Sequence, residues 1–129
     1  MSSDFELAAE FPVSPSEIYE AWLDGERHAA MTGSPATASD IVGGEFVAWD
    51  GYCMGTNLEL EPGKRIVQSW RTTEFTDEEP DSRLEISLEA TDVGTKLTLR
   101  HSVLPEHGEQ YKQGWMEAYF EPMLNYFGS

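Results

Sequence analysis

From Phe5 to Phe11 the chain alternates. Phe5, Leu7, Ala9 and Phe11 are apolar, and Glu6, Ala8 and Glu10 lie between them, the period of two expected of a half-buried strand. Pro12 ends the run. Ser14-Pro15-Ser16-Glu17 then carries a helix start: a hydroxyl for the first free N–H groups, proline at the first helical position, and a glutamate three residues after the cap. Ile18, Ala21 and Trp22, with Tyr19 and Leu23 beside them, mark one buried stripe, and Asp24-Gly25 stops the helix. A second short helix is expected over Glu26 to Met31. Thr32 to Asp40 consists mainly of loop formers, although Ala36 to Ser39 could pair briefly as a strand.

Beyond that loop the turn signals become regular. Gly43-Gly44 precedes a strand over Glu45 to Trp49, Asp50-Gly51 predicts a two-residue hairpin turn, and a strand from Met54 to Glu61 follows. Pro62-Gly63 turns the chain into Arg65 to Arg71. After the acidic loop Thr76 to Asp81, the strand Arg83 to Ala90 meets Thr95 to His101 through Asp92 and Gly94. Alternation assigns Thr56, Leu58 and Leu60 to the apolar face and Asn57, Glu59 and Glu61 to water. In the later strands Leu84, Ile86, Leu88, Leu97, Leu99 and His101 share the dry side.

The closing segment changes the picture. Pro105-Glu106 predicts the start of a long helix running to Gly128, with acid placed where it suits the N-terminus. Trp115, Tyr119, Phe120, Met123 and Phe127 give it far more apolar area than a surface helix carries. Gly114 and Pro122 are locally unfavourable, by about 1 and about 3 kcal/mol in a helix interior. Gly114 is therefore expected to allow close approach to a strand. Pro122 is expected to bend the helix, because the carbonyl of Ala118 loses its donor. A strand, two short helices, about six strands and a long helix predict an α+β fold with an antiparallel sheet. The helix laid on that sheet either closes a core or leaves a pocket.

Charge excludes whole classes of partner. The net charge of -16 and pI near 4.3 repel phosphate backbones and anionic lipid, so neither nucleic acid nor membrane is expected. With 129 residues and 40% hydrophobic residues, a single domain over 1–129 is expected. No apolar run approaches a membrane span, and Met1 to Asp4 has no signal-peptide character. One cysteine, Cys53, forbids an internal disulfide and fits a reducing compartment, so a cytoplasmic location is expected. A free strand edge could support a weak homodimer, whereas the charge favours a monomer.

The candidate chemistry is mostly apolar. Trp49, Met54, Trp70, Trp115, Tyr119 and Met123, with Ile86, Leu99 and His101 on the inward face, are the residues expected around an internal cavity. The competing reading is that they simply fill the core. His101 is the weak catalytic candidate, as a ligand anchor or general base, with burial favouring its neutral form. His28 and His107 show no metal-ligand spacing, and neither metal nor cofactor is expected. Cys53 has no basic neighbour in sequence to activate it, and no serine lies in a nucleophile elbow. Carboxylate pairs such as Glu17 with Glu20 and Glu117 with Glu121 read as solvated helix faces.

Pro15-Ser16-Glu17-Ile18-Tyr19-Glu20-Ala21-Trp22 resembles the first helix of the START-like superfamily, also called SRPBCC or Bet v-like. Further blocks resemble the family of activator of heat-shock protein 90 ATPase homologues. They are Thr32-Gly33-Ser34-Pro35-Ala36, Val42-Gly43-Gly44-Glu45-Phe46, Gly55-Thr56-Asn57-Leu58-Glu59-Leu60-Glu61-Pro62, Arg65-Ile66-Val67-Gln68-Ser69-Trp70-Arg71, Gly94-Thr95-Lys96-Leu97-Thr98-Leu99 and Gln113-Gly114-Trp115. The resemblance implies a helix-grip fold, a curved antiparallel sheet of six or seven strands around the last helix, with space between them that often holds an apolar ligand. It implies three readings: binding of a hydrophobic small molecule, a co-chaperone-like role with a chaperone partner, and, ranked last, a cyclase- or hydrolase-type enzyme in which His101 and Tyr119 handle protons. In the eukaryotic co-chaperones of this family a separate N-terminal domain precedes a domain like this one.

Overall fold

A computed structural model describes residues 4–105, 108 and 110–128. Strand β1 (Phe5–Phe11) is followed by helices α1 (Pro15–Leu23) and α2 (Gly25–Thr32). Strands β2 (Glu45–Ala48), β3 (Cys53–Glu61), β4 (Arg65–Thr72), β5 (Ser82–Thr91) and β6 (Gly94–Ser102) come next. The C-terminal helix has three parts: α3 (Gln110–Trp115), a π-helical turn (Met116–Phe120) and α4 (Glu121–Gly128). Its expected opening at Pro105-Glu106 falls partly outside the described residues, which include neither Glu106 nor His107.

The strands form one antiparallel six-stranded sheet in the order β1-β6-β5-β4-β3-β2. The chain is thus α+β, with the sheet curved around the last helix, as expected. Local chemistry accounts for the helix starts. The Ser14 hydroxyl accepts from the Glu17 N–H at 3.3 Å, and Asp24 both ends α1 and caps α2, accepting from Glu26 and Arg27. The possible pairing of Ala36 to Ser39 reduces to a single bridge, Thr37 to Val47.

Three expectations about local geometry are corrected. The β2–β3 hairpin closes between Ala48 and Cys53, so its loop is the four residues Trp49 to Tyr52 rather than an Asp50-Gly51 turn. Trp49 therefore leaves the strand and takes a left-handed conformation, φ 55°.

In β3 the pairing passes from Asn57–Gln68 to Glu59–Val67, leaving Leu58 as the extra residue of a β-bulge. The bulge resets the alternation: Asn57 is buried, Leu58 is 46% exposed, and Leu60 turns back toward the core. On the inward side Gly55 faces Phe46, and a Cβ there would lie 1.8 Å from the Ser69 carbonyl oxygen. Only glycine fits.

In the last helix Gly114 approaches no strand, since a Cβ at that position meets nothing within 4 Å. The disturbance expected at Pro122 takes the form of the π turn. The Glu121 N–H reaches back five residues to the Met116 carbonyl, and Pro122 falls in the first turn of α4, where its missing N–H is not needed. The wider turn lets the adjacent Tyr119 and Phe120 both face inward, above Met123.

Candidate functional site

The core between sheet and helix is closed over most of its length. Ile86, Leu99 and Met123 are fully buried in it. At the end near the β2–β3 hairpin the packing opens into a cavity of about 360 Å³. That volume is within the range of small-molecule clefts. The hairpin contributes Trp49, Tyr52 and Cys53 to its wall, and β4 contributes Trp70. The helix contributes Tyr111, Gly114, Trp115, Ala118 and Tyr119. Tyr111, Gly114, Trp115 and Ala118 share one helical face, and the small pair Gly114 and Ala118 leaves room between the large rings. The exposed wall is almost wholly apolar.

Of the residues expected around a cavity, the structure places Trp49, Trp70, Trp115 and Tyr119 on the wall. Met54 is on the opposite face of β3, because the hairpin closing at Ala48–Cys53 turns Cys53 inward instead. Ile86, Leu99, His101 and Met123 lie elsewhere, in the packed core. Tyr52, Cys53, Tyr111, Gly114 and Ala118 were missed by the sequence reading. The signal for Tyr111, Gly114 and Ala118 was their spacing with Trp115 along one helical face, of which Gly114 alone was read, as approach to a strand.

Two buried polar groups hold the rings in place. His101 is 0% exposed, and the Trp115 indole N–H donates to its Nδ1 at 3.0 Å. The Ser82 hydroxyl uses its hydrogen on the Trp70 carbonyl (2.7 Å), so it must accept from the Nε2–H of His101 at 2.8 Å. His101 is thus the neutral Nε2–H tautomer with both nitrogens engaged, and burial pushes its pKa down to about 3. Trp70 meets the imidazole edge-on at 4.7 Å.

His28, for which the sequence offered no role beyond the lack of metal-ligand spacing, is the second such group. Its Nδ1–H donates to the Trp22 carbonyl, and its Nε2 accepts from the Tyr119 hydroxyl, both at 2.9 Å. Burial lowers its pKa, with the Trp22 bond opposing. The i, i+3 pair His28 and Met31 was the available signal, since both are buried on α2. His101 and Tyr119 therefore belong to separate networks, and only Tyr119 reaches the cavity.

The remaining wall groups are neutral. Burial pushes the Cys53 thiol up to about 12 and raises the Tyr119 hydroxyl well above its usual value. Trp49 contributes a bulky ring from a left-handed backbone conformation that costs roughly 1–2 kcal/mol, and its indole meets Tyr119 edge-on at 5.8 Å. At the rim, Glu74 is exposed and accepts from the Tyr52 hydroxyl and, at 3.5 Å, from that of Tyr111. Tyr111 is also tied to Thr72, their hydroxyls 2.7 Å apart.

A third polar chain fixes the neighbouring loop. The Trp22 indole donates to Gln68, Gln68 donates to Asn57, and the Asn57 amide donates to the carbonyls of Ser39 and Ile41. Among the described residues no group of three or more His, Cys, Asp or Glu is placed to hold a metal ion. Nor is any described helix long and apolar enough to cross a membrane.

Comparison with known proteins agrees with this geometry. The family described as Activator of Hsp90 ATPase homolog 1-like protein matches residues 12–128. The human Activator of 90 kDa heat shock protein ATPase homolog 1 is 32% identical over 126 residues, which is 95% of this chain and 36% of that protein. The chain thus spans about a third of the length of that relative. Among solved structures, an Hsp90 activator from Plasmodium falciparum has a TM-score of 0.88 at 24% identity, covering 97% of this chain and 96% of that one. CalU16 from Micromonospora echinospora has a TM-score of 0.77 at 25% identity, covering 96% and 74%.

Proposed function

This chain belongs to the Activator of Hsp90 ATPase homolog 1-like family, and from that premise we propose that it is a cytoplasmic protein that binds a small hydrophobic molecule between sheet and last helix. The observation that carries the reading is the cavity of about 360 Å³ with an almost wholly apolar, largely aromatic wall. Such a void, opening beside an otherwise filled core, is unfavourable unless something occupies it, because the rings lining it lose contacts on one side. Gly114 and Ala118 keep it open at positions where larger residues would close it. Native mass spectrometry of gently purified protein, backed by titration with a fluorescent apolar probe, tests the proposal. A copurifying mass or saturable probe binding supports it. A protein that carries nothing and binds no apolar probe sinks it.

A second reading, a co-chaperone-like interaction module, is favoured by the family match and by the likeness to the human Hsp90 ATPase activator homologue. It predicts saturable binding to the Hsp90 of the same organism. Absence of a complex at high micromolar concentration removes it.

A further inference from the structure

Resting on the reading of the cavity as a ligand site, we propose that its ligand is an aromatic cation: a planar body of two or three fused rings bearing a protonated nitrogen, with the rings among Trp49, Trp70 and Trp115 and the charge at Glu74. The wall favours flat aromatic bodies over flexible chains. Its large surfaces are ring faces and edges already set at mutual angles, Trp70 to Trp115 at 42° and Trp115 to Tyr119 at 41°. A rigid guest can stack on them with little loss of its own freedom. Among the described residues, the cavity wall contains no Lys, Arg or His. A carboxylate or phosphate head would therefore be desolvated there without a partner, which is costly.

Glu74 supplies the opposite preference. Among the described residues, the side chains that donate to it, Tyr52, Tyr111 and Gln110, are uncharged, so its full negative charge stands at the rim. Two of these three donors are themselves cavity-wall residues. Of the neighbouring cations among the described residues, Arg71 is directed elsewhere. Arg71 pairs with Asp81 at 2.7 Å, donates to the Thr76 and Glu79 carbonyls, and covers the face of Phe75. Lys112 is exposed on α3. Cation–π attraction to indole acts in the same direction as Glu74, and the net charge of -16 concentrates cations and repels anions around the mouth.

The test is a matched set of fluorescent probes: 9-aminoacridine, cationic at neutral pH; acridine, uncharged there; and acridine-9-carboxylate, anionic. Each is titrated against the full chain, Glu74→Gln and Gly114→Leu. The cation should bind the full chain about tenfold more tightly than acridine, and the carboxylate should bind weakest. Glu74→Gln, which keeps an acceptor for Tyr52 and Tyr111, should bring the cation to within about twofold of acridine and leave acridine itself unchanged. Gly114→Leu should abolish binding of all three. Equal binding of cation and acridine, or a preference that survives Glu74→Gln, overturns the inference while the cavity reading stands. If no probe binds, or binding survives Gly114→Leu because the cation merely adsorbs to the acidic surface, both fall.

Discussion

Gly114 separates folding from binding in a single position. It lies inside α3, has no left-handed backbone requirement, and a Cβ added there meets nothing within 4 Å. Replacing such a glycine with alanine removes its excess backbone freedom and should stabilise the fold by about 1 kcal/mol. For a 129-residue chain, with an unfolding entropy of about 2.1 cal/mol/K per residue, that is a rise in Tm of about 4 °C. Leucine has nearly the helix propensity of alanine, and its added carbons enter the space bounded by Trp49, Tyr52 and Trp115. Burying part of that side chain adds up to about 1 kcal/mol. Gly114→Leu should therefore be at least as stable as the parent while losing apolar-probe binding by tenfold or more. Urea and thermal unfolding followed by tryptophan fluorescence, with probe titration on the same samples, read both quantities. A loss of more than about 1 kcal/mol would mean that Gly114 is packed against something, and the account of the cavity would be wrong.

Other outcomes follow from the buried polar groups. His28 and His101 both have folded-state pKa values below the usual 6.5, the latter about 3, because burial disfavours the charged imidazole. The unfolded chain therefore binds more protons below pH 6.5. The stability they contribute is complete above that pH and is lost as pH falls, by up to about 1.4 kcal/mol per pH unit for each histidine. In NMR spectra the His101 imidazole resonances should not titrate between pH 7.5 and 5, those of His28 should titrate below the usual 6.5, and a midpoint near 6.5 for either would contradict its hydrogen-bond network. His101→Ala should cost about 3 kcal/mol in urea unfolding, since it strands the Trp115 N–H and leaves a void. A cost below 1 kcal/mol would mean that water or repacking replaces the imidazole. Asn57→Ala should cost about 2 kcal/mol and speed hydrogen exchange in residues 39–44, because the loop carbonyls lose their donor. Unchanged exchange there would show that the loop does not depend on Asn57. Cys53, buried with its thiol raised to about 12, should resist a charged disulfide reagent at pH 8 until the chain unfolds. Prompt labelling of the native protein would show that its wall is open to water.

Periodicity and turn chemistry in the sequence determined most of the frame. Phe5 to Phe11 alternates because one face of a strand is buried, Ser14 and Pro15 start a helix for local hydrogen-bonding reasons, and Pro62-Gly63 needs no tertiary partner to turn. These signals act over a few residues and survive in one dimension. The corrections arise where the third dimension intervenes. Leu58 is exposed and Asn57 buried because a bulge inserts one residue into β3, and no alternating pattern announces its own break. Met54 yields its place to Cys53 for a similar reason, since the phase of the strand is set by where the hairpin closes. His28 had no role legible in the sequence, because its partner is the Tyr119 hydroxyl, ninety-one positions away on the last helix. Gly114 was legible as unusual, but a missing side chain reads alike whether it admits a strand or leaves a space. Only the distances between sheet and helix decide that, and they are fixed by the bulk of Trp49, Trp70 and Trp115 around it.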